Sequence, residues 1–165
     1  MSSLVTRTRR GGAVRGLAAL VLAAVSSAGG CGGDARPACL SESDVDVDAC
    51  TPLYPAEFPA IFQQVLSVTC ASAGVSCHGE AGRMGGLVFV DQAASYDLLL
   101  GLADGKARVR AGDAACSEMM VRLDMPGHAW SMPPGAPLDE RARCSIRRWI
   151  AGGALPTPAL GRAAP

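Results

Sequence analysis

The sequence predicts a small all-α domain, and three observations carry that expectation. Apolar residues recur at helical spacing in several separate stretches, acidic residues suited to N-capping stand ahead of two of them, and Gly and Pro punctuate the connections. Aromatic residues are few, with three Phe, two Tyr and two Trp, so a polypeptide core must be built mainly from Leu, Val, Ile, Ala and Met. Such a lean core gains from covalent staples or a cofactor.

Residues 1–30 carry Arg7, Arg9, Arg10 and Arg15, no acid, an apolar run from Leu17 to Val25 and a small-residue patch, Ser26 to Gly30. This is the layout of a signal peptide, and nine apolar residues are too few to span a bilayer. Ala28-Gly29-Gly30 before Cys31 resembles a bacterial lipoprotein cleavage context, which implies Cys31 as the lipidated first residue of an exported protein; ordinary cleavage at the same bond is the alternative. The expected contact with membrane is this anchor. With the four arginines gone, fifteen basic residues become eleven against fifteen acidic ones, a net of −4. A chain of that balance lacks the basic surplus that nucleic-acid binding requires.

Residues 31–57 are rich in Gly, Pro, Ser and Asp and read as a flexible tether. Asp44, Asp46 and Asp48 open like a calcium loop, but Ala49 stands where the turn needs Gly and Pro55 where the bidentate Glu belongs, so a solvated acidic linker is the reading. The helical domain spans residues 58–155. Phe58, Ile61, Phe62, Val65 and Leu66 form one buried helix face, with Pro59 tolerated in the first turn. Gly82 to Gly86 makes a turn before the apolar run Leu87 to Val90. Asp91 caps a helix through Leu98, Leu99 and Leu102, and a short helix follows Asp113 with Cys116, Met120 and Leu123 on one side. Met132-Pro133-Pro134-Gly135 is a stiff extended segment, because consecutive prolines fix φ and remove donors. The last helix opens at Asp139 and ends at Gly152-Gly153, burying Ala142, Ile146, Trp149 and Ile150. Residues 156–165 read as a disordered tail.

Seven cysteines are present. If Cys31 carries lipid, Cys39, Cys50, Cys70, Cys77, Cys116 and Cys144 remain, an even number in an oxidising compartment. Six cysteines allow fifteen pairings. Cys144 falls at 100° per residue on the far side of its helix from Ile146, near water, where an unpaired thiol would be a liability. Cys116 is its favoured partner, since the other four form two pairs local in sequence, Cys39 with Cys50 and Cys70 with Cys77.

The stretch Val68–Glu80, "VTCASAGVSCHGE", carries the chemistry. A cysteine pair with an adjacent histidine is what covalent haem attachment uses, two sulfurs for the porphyrin vinyl groups and an imidazole for iron. Here six residues separate Cys70 from Cys77, against the usual two. Small residues and Gly74 make an outward bulge sterically easy, and the same bulge would bring the sulfurs within disulfide reach. Local geometry leaves both open.

"FPAIFQQVLSVTC", "SCHGEAGRMGGLVFVD", "VRAGDAACSEMMVRL", "SMPPGAPLDE" and "IRRWIAGGA" follow in an order that resembles the planctomycete-type cytochrome c domain, a relative of class I cytochromes c, over Phe58 to Ala154. The resemblance implies haem c held by thioethers at Cys70 and Cys77, His78 as proximal iron ligand and Met132 as distal ligand. A soft thioether on a Pro-stiffened segment suits that part, and His-Met ligation raises the reduction potential of an electron carrier. Met84, Met119, Met120 and Met125 read as core or surface filler, and His128 as a polar loop histidine. Trp130 and Trp149 could line a haem crevice or fill a polypeptide core.

The expected function is therefore electron transfer or redox sensing at the cell envelope, with redox proteins as partners and no catalytic residues of its own. The alternative is a haemless, disulfide-stapled interaction module. A zinc enzyme using Cys70, Cys77, His78 and His128 is disfavoured, because ligand spacing of the zinc-finger type and a nearby general base are both missing.

Overall fold

A computed structural model describes residues 35–71 and 77–157. The expected signal peptide, the lipidated Cys31, the residues between Ala71 and Cys77 and the tail from residue 158 lie outside the described residues. Among those described, the fold is all-α, with no strand and one isolated bridge between Arg110 and Asp113.

The first helix, α1 (Phe58–Ile61), runs directly into a π-helical segment, Phe62–Cys70. Phe58, Ile61, Val65 and Leu66 are buried, as their spacing predicts, while Phe62 is half-buried against the core. Helix α2 (Gln92–Leu100) starts where the sequence places it, because the Asp91 carboxylate accepts the backbone N–H of Ala94 at 2.8 Å. It stops two residues before Leu102. Gly101 takes the left-handed conformation (φ 74°) and caps the helix, leaving Leu102 69% exposed. Helix α3 (Glu118–Asp124) begins later than Asp113 suggests; Cys116 precedes it, and Met120, Val121 and Leu123 are its buried residues. Helix α4 (Glu140–Ala151) opens with the Asp139 carboxylate accepting from Arg141 N–H at 2.8 Å.

Helix α4 packs on both α1 and α3. The Phe58 ring lies 5.2 Å from Tyr96, edge-on, and 5.2 Å from Trp149. Both neighbours place their polar ends on the chain beyond α4: Trp149 Nε1 donates to Leu155 O at 2.9 Å and Tyr96 Oη to Ala154 O at 3.0 Å. Trp149 thus belongs to the polypeptide core.

The disulfides correct the expected pairing. Cys39 bonds Cys116 and Cys50 bonds Cys144, so Cys116 is not the partner of Cys144 and Cys39 does not close a local loop with Cys50. Nor does Cys144 face water: it is fully buried, together with Ser145 and Arg147. The reason is that α4 is covered on two sides. The segment read as a flexible tether is held against its second face from Val47 onward. There Ser145 Oγ donates to Tyr54 O at 2.9 Å, Leu53 N–H donates to Arg141 O at 3.0 Å, and Arg148 donates to Val47 O and Cys50 O at 2.9 and 2.8 Å. Nearer the start, Leu40 is buried and its N–H bonds Ala115 O at 2.9 Å.

Candidate functional site

The π-helical segment delivers Cys70. Its wide winding is visible in bonds that skip five residues, from Ala71 N–H to Leu66 O at 2.8 Å and from Ser67 Oγ to Phe62 O at 2.9 Å. The chain returns at Cys77, and His78 N–H donates to Cys70 O at 3.2 Å, which closes the six-residue excursion at its neck. A compact turn follows. Met84 N–H bonds Cys77 O at 3.2 Å and Phe89 N–H bonds His78 O at 2.8 Å. Gly82 is required in this turn because a Cβ there would stand 2.2 Å from the Cys77 carbonyl oxygen.

Cys70, Cys77 and His78 are therefore brought together by backbone bonds, and neither cysteine is in a disulfide. Burial pushes the Cys70 thiol up to about 12, with the charge of a Cys77 thiolate acting in the same direction. The thiol stays protonated near neutrality, a poor state for nucleophilic attack or metal binding. Among the described residues no three His, Cys, Asp or Glu side chains gather as a metal site.

The His78 ring packs 5.2 Å from Phe89, and its Nδ1 is buried with no hydrogen-bond partner. Burial lowers its pKa, backbone hydrogen bonding to Met84 and Leu87 opposes this, and the Arg122 charge lowers it further. An unsatisfied buried ring nitrogen is uncommon.

Met132 is half-buried against the core. Its N–H donates to the Arg122 carbonyl at 2.8 Å, and the Arg122 side chain donates through Nη1 to Trp130 O at 3.0 Å. His128 has a structural setting instead: its ring stacks on Trp130 at 4.7 Å, nearly parallel, and its N–H donates to Ser131 Oγ at 3.0 Å. Met120 is core and Met84 is exposed, in keeping with filler roles.

Two arginines at the site were not singled out from sequence. Arg108 is buried and donates through Nη2 to Gly85 O at 2.9 Å and through Nη1 to Leu98 O at 2.8 Å, tying the turn after His78 to the end of α2. Arg122 ties α3 to the Met132 segment. The available signal was a cation set within apolar neighbours, as in Met119-Met120-Val121-Arg122-Leu123. No protein-family model, curated protein or solved structure matches the chain.

Proposed function

We propose that the protein is a haem c-binding electron-transfer domain of the cell envelope, in which Cys70 and Cys77 would hold the group by thioethers and His78 and Met132 would supply ligands to its iron. One observation carries the reading. Four cysteines are consumed in two long-range disulfides, while Cys70 and Cys77, which precede His78, lie together at the neck of a loop and outside both of them.

When bound, the group supplies a one-electron iron couple. The chain's own part is to orient His78 through the Cys70 and Phe89 backbone bonds, to hold Met132 on the Arg122 carbonyl, and to keep the Cys70 sulfur away from water. Such a domain passes electrons between redox proteins rather than transforming a substrate. An exported lipoprotein anchored at Cys31 completes the proposal.

The closed neck also favours a second reading, a Cys70–Cys77 disulfide in a haemless interaction module. A reduced-pyridine spectrum of protein produced with haem-attachment machinery separates the two: covalent haem absorption supports the first, and a haem-free chain two mass units below its reduced form supports the second. Met132→Ala should then lower the potential and abolish any sulfur-to-iron charge-transfer band; unchanged spectra would remove Met132 from the site.

A further inference from the structure

The Arg122 guanidinium sits at a junction. Its Nε and Nη2 both reach Glu118 Oε1 at 3.0 Å, and the same oxygen takes Arg36 Nη1 at 2.8 Å. Two cations share one carboxylate, so the trio keeps a net charge of +1. Its Nη1 holds the Trp130 carbonyl and its own carbonyl holds the Met132 N–H.

We infer that Arg122 is a positioning residue that fixes the Met132 segment on α3 and, with Glu118 and Arg36, sets the reduction potential through a fixed positive charge. The inference rests on the haem reading for its electrostatic half and on this chain alone for its positioning half. A nearby cation favours the reduced centre, which carries one positive charge fewer, and at about one-third exposure its effect falls as salt screens it.

The test uses the full chain in three variants. Arg122→Met removes the charge and the Trp130 bond, Arg122→Lys keeps the charge, and Glu118→Gln raises the local charge by one with Arg122 in place. In the haem-loaded protein, Arg122→Met should lower the potential, Arg122→Lys should hold it near wild type, and Glu118→Gln should raise it, with the spread narrowing at high salt. A structural role alone cannot give opposite signs. Equal potentials, or one common drop, would overturn the electrostatic half. In the haem-free protein, amide exchange at Ser131 and Met132 should quicken about tenfold in Arg122→Met; unchanged exchange would overturn the positioning half. A wild-type chain that takes no haem defeats the functional reading instead, and the exchange measurement still decides whether Arg122 holds the segment. Should Arg122→Met fail to fold, the Glu118→Gln potential and exchange at the same two amides in Arg122→Lys decide the two halves.

Discussion

Arg147 grips Asp124 with two parallel bonds, Nε to Oδ2 and Nη2 to Oδ1, both 2.8 Å, and the two side chains are only 6% and 3% exposed. Arg143 adds a third bond to the same carboxylate at 2.9 Å, and Arg147 Nη1 reaches Glu140 at 2.8 Å. This network joins the end of α3 to α4, with Asp124 and Arg147 buried and Glu140 at its exposed rim. Asp124→Ala leaves the buried Arg147 and the partly buried Arg143 without their shared anion, so unfolding in urea should show a loss of about 3–5 kcal/mol. A loss below about 1 kcal/mol, the range of exposed pairs, would mean that water compensates the arginines.

Disulfide removal should be costly for a different reason. Each bond closes a long loop, with sequence separations of 77 and 94. Replacing Cys50 and Cys144 together by Ala is expected to cost about 2–5 kcal/mol, read by chemical denaturation under non-reducing conditions. Peptide mapping of the wild-type chain should recover Cys39 with Cys116 and Cys50 with Cys144; a Cys116–Cys144 peptide would reverse the assignment.

The Cys70 thiol should react sluggishly in the folded, haem-free protein. With its pKa pushed up to about 12 by burial, the thiolate is scarce at pH 8, and alkylation by iodoacetamide should run about 100-fold slower than in the unfolded chain. Mass spectrometry of timed digests measures this directly. Equal rates would show that Cys70 is open to solvent.

His78 gives a pH signature in the haem-free state. Its folded pKa lies below the ordinary value, so the unfolded chain takes up the proton more readily. The corresponding stability is fully present above the unfolded pKa of about 6.5 and is lost as pH falls through the folded value. Wild type should therefore weaken more than His78→Gln between about pH 6.5 and 5. Parallel stability curves for the two proteins would show that the ring is not held neutral by its surroundings.

Much of the helical frame was legible in the residues. The faces of α1 and α4 could be read because Phe58, Ile61, Val65 and Leu66, and Ala142, Ile146, Trp149 and Ile150, obey helical periodicity, and Asp91 and Asp139 do cap their helices. What periodicity could not supply was the covering of α4's second face. An acidic, Pro-containing stretch looks like solvent-exposed linker until its backbone carbonyls find Arg148 and Ser145. That unseen layer is why Cys144 and Arg147 are buried and why cysteine parity could not choose the pairs.

At the site, sequence identified the residues and backbone bonds account for their arrangement. The motif named Cys70, Cys77 and His78, but not the Cys70 carbonyl that meets His78 N–H. It named Met132, but not the arginine holding it. Main-chain acceptors and side chains that act through them leave no periodic trace in sequence.

The order of the half-cystines has one more consequence. Because Cys39, Cys50, Cys116 and Cys144 pair first with third and second with fourth, the two covalent rings overlap. A protease cutting once anywhere between residues 39 and 144 would yield two polypeptides that still migrate as one species until a reductant is added. The exposed turn after His78 could be severed in this way without the fragments drifting apart.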